Sequence, residues 1–365
     1  MAITRAFKNA VHLERKTEPL VINGNMSVAQ RGNSDVTGLG DGDEGYVTVD
    51  RFRHTAAASS GRFTSKQTAV DDLDGFQNCL ELDCTTADTS IASTELLQID
   101  CRLEGQDMQH FKKGETNAEY ITVSFYAKAD AAVAYACELR DIDNARHISK
   151  LFTTGTDWTH HVLSFPGDTT GNFGDDSNES LRISLILHAG SNFTEGTLAS
   201  SWASYNDANS APGIGSFYAA TTRSLKITGF QVEAGLYDEE TLPPFQYESF
   251  GENEKRCRRY FYRQGDEGNY HPLGSGVCES TSSAYIVIDM PTKMRTGPSA
   301  AFSGDGNLTL FDGDTFNTSS TIGSTVSGSQ KIRLSVTPNS SVVNGNGATL
   351  HVQNSTSFAD FDAEL

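Results

Sequence analysis

Six residues in one stretch have side chains of the types that hold a sugar: Trp202, Tyr205, Asn206, Asp207, Phe217 and Tyr218. Sugar rings present C–H faces that stack on aromatic rings, and hydroxyl edges that pair with planar amides and carboxylates. The stretch 189–220 is low in charge and rich in Ser, Ala, Asn and Gly. Long ordered loops in compact domains often carry function. The competing reading is that these rings anchor the loop to its own domain or fill a subunit interface. A second cluster, Asp35, Asp41, Asp43 and Glu44, lies in the turn DVTGLGDGDEG. It has the oxygen ligands of a structural Ca²⁺ but not the spacing of an EF-hand loop, and a solvated acidic turn is the alternative. No other cofactor is expected. Asp71, Asp72 and Asp74 form a lesser group of the same kind.

Other chemistry is sparse. Glu138, Asp141 and Asp143 offer the raw material of a glycosidase carboxylate pair, but acidic pairs in turns are abundant in this chain. His160 and His161 are adjacent on an expected strand and so point to opposite faces, which argues against joint chelation of a metal. Gly-x-Ser-x-Gly, Gly-rich phosphate-loop and His-Glu-x-x-His patterns are absent. The expectation is a protein that is not an enzyme.

The elements that must position these residues are strands. EYITVSFYAKAD alternates Tyr120, Thr122, Ser124 and Tyr126 against Ile121, Val123, Phe125 and Ala127, the period-2 pattern of a half-buried strand. Leu181–His188 reads as a buried strand, and TDWTHHVLSFPG as another, with Trp158 in the core. Leu20–Gln30, Tyr46–Arg51, Arg62–Val70, Leu80–Cys84, Leu96–Leu103, Val133–Leu139 and His147–Thr153 complete the expected set, with residues 35–45 as a loop. Leu225–Val232 alternates but carries apolar residues on both faces at Phe230 and Val232, as in a strand buried on two sides. Pro243-Pro244 then stops the sheet, and Phe245 and Tyr247 form a short aromatic lid. Glu252–Tyr262 places acids first and bases last, with Cys257, Tyr260 and Phe261 on one stripe, a short helix. Its Lys255, Arg256, Arg258, Arg259 and Arg263 are read as pairing with neighbouring acidic loops across the domain junction rather than as a site for an acidic partner. Further short strands follow at Ala284–Met290, Ser299–Phe302, Leu308–Leu310, Lys331–Val336 and Ala348–Val352, with TFNTSSTIGSTVSGSQ as a polar loop.

This predicts an all-β chain: an arm at 1–19, a β-sandwich of jelly-roll type at 20–250, a linking helix at 251–264 and a second small β-domain at 265–365. An N-terminal helix over Ile3–Arg15 is one option for the arm. The formal net charge is −19 over 365 residues. Residues 1–250 carry 19 Lys+Arg against 35 Asp+Glu, and the rest 9 against 12. So acidic a surface argues against nucleic acid and anionic membranes as partners, because phosphate binding needs clustered cations. No apolar run is long enough to span a bilayer, and the opening MAITRAFKNAVHLERKTEP lacks a secretory core, so folding in a reducing cytoplasm is expected. The six cysteines, without a Cys-x-x-Cys pair, then read as buried apolar residues.

Three blocks carry a resemblance. ITGFQVEAG with PPFQYESFGENEKRCRRYFYR (227–263), LVINGNMSVAQRG with YVTVDRFR (20–53), and the final FADFDAEL resemble a bacteriophage tail-fibre and virion structural family. Gln231, Glu233, Gly235, Pro244, Phe245, Glu254, Cys257, Arg259 and Tyr260 occupy its characteristic places. Met26, Ala29 and Phe52 stand where the family usually has Phe, Trp and Trp. The resemblance implies a phage particle protein with an N-terminal domain like a carbohydrate-binding module. Such a protein would be a tail fibre or fibre-like appendage assembled in the bacterial cytoplasm, probing host-surface glycans from the virion. Its partners would be other virion proteins, and its expected state is a homotrimer, in which avidity makes weak sites useful. The alternatives are a purely structural capsid decoration or adaptor without a glycan site, and a tailspike-type glycan-degrading enzyme. Heptads and fibre-shaft repeats are absent, so a short globular form is expected.

Overall fold

The computed structural model describes residues 18–265, 268–303, 308–318 and 320–365. The helix expected over Ile3–Arg15, and nearly all of the arm, lie outside them. The chain is all-β with few short helices, and it divides after Asn253 into two compact units. No helix among the described residues is long and apolar enough to cross a membrane.

The first unit has twelve strands: β1 (Val36–Leu39), β2 (Phe52–Ala57), β3 (Arg62–Ala69), β4 (Asn78–Thr86), β5 (Leu96–Glu104), β6 (Ile121–Ala129), β7 (Ala134–Asp141), β8 (Arg146–Thr153), β9 (Thr159–Phe165), β10 (Glu179–Ala189), β11 (Ala203–Ser204) and β12 (Ser224–Ala234). They form two antiparallel sheets, ordered β1-β3-β4-β12-β6-β9 and β11-β8-β7-β10-β5-β2. The inward residues of both make one core: Phe63, Leu80, Leu82, Val123 and Phe125 from the first sheet, and Leu97, Ile99, Leu139, Ile183 and Leu185 from the second. Alternation along each strand supplies one apolar face per sheet, and stacking the two faces is what removes them from water. The adjacent histidines divide as their spacing requires. His161 packs on Phe125 and Phe152, while His160 stacks on Tyr126 at 4.4 Å on the other side. All six cysteines are buried as thiols, and burial pushes the Cys101 thiol up to about 12.

The strand β12 departs from expectation in an instructive way. Its apolar residues do not face two ways. Between Thr228 and Gln231 the pairing with β6 slips by one residue, and Gly229 takes φ +63°. This bulge changes the phase, so that Leu225, Ile227, Phe230 and Val232 all enter the same core. Pairing with β4 ends at Ile227. Beyond it, the Phe230 amide donates to the Gly24 carbonyl at 2.8 Å. A Cβ on Gly24 would lie 2.1 Å from the Phe230 carbonyl oxygen, so only glycine permits this docking.

The N-terminal segment therefore is not the strand expected at Leu20–Gln30. Asn23 and Met26 adopt left-handed φ of 61° and 56°. The Asn23 side chain substitutes for a neighbouring strand: Oδ1 accepts from Val28 N (2.9 Å), and Nδ2 donates to the carbonyls of Val28 and Asp50 (2.9 Å each). Helix α2 (Phe250–Cys257; α1 is the single turn Ser191–Thr194) supplies the other half of this staple. Asn253 Oδ1 accepts from Asn23 N at 3.0 Å, and its Nδ2 lies 2.9 Å from Ser27 Oγ. Two other expectations shift. The expected loop 35–45 contains β1, and the strand expected at Tyr46–Arg51 begins instead at Phe52. Trp158 is half-buried outside the core, its Nε1 donating to Asp72 at 2.7 Å.

The second unit has ten strands: β13 (Phe261–Gln264), β14 (Pro272–Cys278), β15 (Ala284–Asp289), β16 (Ser299–Phe302), β17 (Leu308–Phe311), β18 (Phe316–Thr318), β19 (Thr321–Ser327), β20 (Lys331–Thr337), β21 (Gly347–Val352) and β22 (Ala359–Asp362). A three-stranded sheet runs β13-β22-β16 and a seven-stranded one β18-β17-β21-β14-β15-β20-β19. Their core includes Ile286, Ile288, Leu310, Leu334, Leu350 and Phe361. Phe261–Gln264, expected within the linking helix, is a strand: it pairs with β22, and Arg263 grips Asp360 through two 2.7 Å contacts. Arg258 pairs with Glu254, four residues before it, at 3.0 Å. The expected polar loop TFNTSSTIGSTVSGSQ supplies both edge strands, β18 and β19; polar Thr- and Ser-rich strands suit an edge that must not recruit another chain.

Two predictions follow from the first unit. Gly229→Ala puts a methyl 2.8 Å from both Phe76 Cζ and Tyr126 Cδ2 and forces alanine into the left-handed region. The second effect alone costs about 1–2 kcal/mol, so the urea midpoint falls measurably. Burial holds both His54 and His161 down to about 4. Between pH 6.5 and 4 the unfolded chain then binds the more protons, so their contribution to stability is complete above 6.5 and is lost as pH falls through that window. Denaturant titrations at pH 7.5, 6 and 5 should show this slope, and His161→Phe should flatten it.

Candidate functional site

The outer face of the second sheet of the sandwich carries an ordered array of polar side chains. The register defines it. Arg102 (β5), Arg182 (β10), Arg140 (β7) and His147 (β8) stand opposite one another on four neighbouring strands. One pleat along, Asp100, Ser184, Glu138 and Ser149 make a second row. A third row, Gln98, Ile186, Ala136 and Leu151, turns apolar. There Phe193, Ala211 and Ile214 of the 189–220 stretch cover Ala136, Ile186 and Leu96. The stretch is thus anchored at the apolar end of this face.

The acidic row is well satisfied. Asp100, fully buried, accepts from Ser184 Oγ (2.7 Å), Gln98 Nε2 (2.9 Å) and Thr55 Oγ1 (3.2 Å). Glu138 Oε1 lies 2.8 Å from His147 Nδ1. Arg182 forms a two-pronged pair with Glu179 at 2.7 and 3.1 Å, and Arg102 lies 3.4 Å from the same carboxylate. Arg140 differs. Among the described residues its guanidinium has no ion-pair or hydrogen-bond partner, and Nε is buried without an acceptor. Instead it lies 3.6 Å over the ring of Tyr205. His147 Nε2 and Ser149 Oγ are likewise buried without partners.

The six residues expected to form a sugar platform divide. Tyr205, half-buried, follows the edge strand β11 and reaches Arg140 and His147, whose ring centroid lies 5.1 Å away. Its hydroxyl donates to the exposed Asp207, and Asn206 beside it is also exposed. Burial, more than the bond to Asp207, pushes the Tyr205 phenol well up. Trp202 packs against the sandwich core and donates from Nε1 to the Pro166 carbonyl at 2.7 Å. Phe217 and Tyr218 are not platform residues: both are fully buried in the core. They lie in the short turn Phe217–Ala219 capped by Ser216, and the room for the Tyr218 ring exists because Gly61 lacks a Cβ, which would lie 2.5 Å from it. The array of arginines was not anticipated. Its signal in sequence is one polar residue at every second position of otherwise apolar strands, as in LRISLIL.

The Ca²⁺ candidates do not converge. Asp41 accepts from Ala58 N, Asp43 from Gly40 N, Glu44 pairs with Arg53 at 2.7 Å, and Asp35 is exposed. Among the described residues no three His, Cys, Asp or Glu side chains form a metal-sized group. The carboxylates considered as a glycosidase pair are also engaged: Glu138 by His147, Asp143 by Gly174 N at 2.8 Å, and Asp141 by Lys113 and Asn144.

That last contact belongs to a buried clamp that positions the edge carrying Tyr205. Lys113 Nζ lies 2.6 Å from Asp141 and 3.2 Å from Asp168, and also reaches the carbonyls of Thr170 and Gly171 at 2.7 and 3.0 Å. Arg146 of β8 holds Asp168 from the other side at 2.6 and 3.1 Å. Arg146 is also the residue opposite Ser204 of β11, and the Tyr205 amide donates to the Ala145 carbonyl at 2.8 Å. Burial alone would raise the Asp168 carboxyl, but Arg146 and Lys113 together hold it below the usual range. Its stabilising contribution is therefore present above pH ~4 and lost on acidification below that.

No family model matches the chain, and no curated protein matches its sequence. Solved structures show partial likenesses. One is the enzymatically active domain of tailspike protein 4 of bacteriophage CBA120, at 10% identity over 59% of this chain, with a TM-score of 0.30. The chain spans only 21% of that protein's length. Another is the family 11 carbohydrate-binding module of a Clostridium thermocellum cellulosomal cellulase, at 11% identity over 57% of this chain and 99% of the module, with a TM-score of 0.28. A third is TmCBM61, solved with β-1,4-galactotriose, at 9% identity over 48% of this chain and 89% of that one, with a TM-score of 0.26.

Lys113→Met leaves the buried Asp141 without its cation, while Asp168 keeps only Arg146. Removing one partner of a buried ion cluster costs about 3–5 kcal/mol, and chemical denaturation at pH 7 should show a loss of that order.

Proposed function

We propose that the outer face of the second sheet binds a glycan and that Tyr205 is its stacking residue. The observation that carries this reading is the concentration there of unsatisfied polar groups beside a half-buried aromatic ring. Buried polar atoms in folded proteins nearly always have partners. A face that leaves Arg140 Nε, His147 Nε2 and Ser149 Oγ without them, next to Tyr205, is arranged for a ligand that brings hydroxyls and a C–H face. Its carboxylates are held by protein donors, which supports binding rather than hydrolysis. We further propose that the chain is a phage particle protein, a tail fibre or similar appendage. This rests on the resemblance of the blocks at 20–53, 227–263 and 358–365 to that family. In this reading the face displays a weak glycan site to a host surface from a homo-oligomer, and several copies give useful avidity.

The test is glycan-array binding by the full chain and by Tyr205→Ala, with thermal melting and light-scattering mass for both. The expected result is saturable binding by the native chain, weakened about tenfold or more in the variant, a loss of roughly 1.4 kcal/mol, at unchanged mass. Native binding that survives Tyr205→Ala undiminished, or no binding to any glycan, overturns the assignment.

A further inference from the structure

Resting on that glycan reading, we infer that the ligand of this face is an acidic saccharide whose carboxylate is taken by Arg140. Arg102, Arg182, Arg140 and His147 occupy directly opposed positions on four adjacent strands. Like charges opposite one another in a sheet repel, so the row is costly unless anions are interleaved. For Arg102 and Arg182 they are, through Glu179 and Asp100. For Arg140 the described residues supply none: Glu138, two residues before it on the same face, is bonded to His147. Arg140 sits in a sandwich whose residues 1–250 hold 35 acidic side chains against 19 basic ones. An arginine left unpaired amid that excess is not explained by a shortage of carboxylates.

The guanidinium is also pre-oriented. The Tyr205 ring, 3.6 Å from the guanidinium carbon, restricts its position, and the β11 edge fixes Tyr205. A planar fork held in one orientation matches a carboxylate in two-pronged fashion, where an ammonium would act as a point charge. The same Tyr205 ring, only half-buried, offers apolar surface to the sugar that bears the carboxylate. The partnerless Ser149 and His147, 1% and 0% exposed, mark the face as unsatisfied beyond Arg140 itself. A uronic acid presents both required parts, a ring with C–H surface and a carboxylate fixed to it.

The experiment measures binding of the full chain, Arg140→Gln and Arg140→Lys to three probes of equal length: an oligouronate, a neutral oligoglucan and a sulfated neutral oligosaccharide, at low and high salt. The expected result is a preference of at least tenfold for the oligouronate. That preference should weaken with salt, be abolished by Arg140→Gln and be only partly kept by Arg140→Lys. Equal affinity for uronate and neutral probes, a preference for the sulfated probe, or a preference that survives Arg140→Gln overturns the inference. If Arg140→Gln melts early, competition on the native chain decides: free glucuronate must displace the oligouronate better than glucose does, and equal displacement overturns it. Tyr205-dependent binding of neutral glycans without acidic preference removes this inference alone, whereas absence of all glycan binding removes the parent reading as well.

Discussion

The first unit depends on how β12 meets its neighbours. It is a central strand, bonded to β6 along most of its length but to β4 only as far as Ile227. From there the backbone has an open side and an apolar sequence that has slipped out of phase. The Gly229 bulge resolves both difficulties. It returns Phe230 and Val232 to the core and aims the Phe230 amide at Gly24. The Asn23–Asn253 network then holds that N-terminal segment in place, using side-chain hydrogen bonds where a strand would have used its backbone. A buried amide group that is fully paired stabilises modestly, but one left unpaired is expensive, so the staple specifies one arrangement.

The same logic, run in reverse, distinguishes the second sheet's outer face. There the polar groups outnumber the partners the protein provides. The face is divided by pleat: the apolar row is covered by Phe193, Ala211 and Ile214, the carboxylates of the acidic row are held by protein donors, and in the cationic row Arg140 has no hydrogen-bond or ion-pair partner among the described residues and lies over Tyr205. Fold and site are linked through the edge. Lys113 and Arg146 lock the end of β8, and β8 sets the position of β11 and hence of the tyrosine.

Much of the fold was legible in the sequence because period-2 alternation is a local signal. Ile121–Ala129, Glu179–Ala189 and Thr159–Phe165 could be read directly, as could the opposite pointing of His160 and His161. The misreadings share a cause. Leu20–Gln30 alternates like a strand but is irregular because Asn23 and Met26 turn left-handed, and nothing local marks that choice. Phe217 and Tyr218 resemble loop aromatics, but they are core because Gly61, far away in sequence, leaves a hole. The polar rows were invisible for the same reason. Arg182 meets Arg102 and Arg140 only through pairing across tens of residues, and register between distant strands is set by the assembled core. Of the expected platform, Tyr205 carries the proposed stacking role, and its place beside Asn206 and Asp207 is a local pattern.

The Lys113 clamp has one more consequence. Its ammonium lies among two carboxylates and two carbonyl oxygens, an arrangement of donors in which many β-rich proteins would place a divalent ion. Here the positive charge is covalently part of the chain. It cannot be chelated, diluted away or exchanged, so the loops it ties stay tied in water of any hardness. A protein built this way keeps this edge, and the surface built upon it, through changes in its ionic surroundings without having to bind anything first.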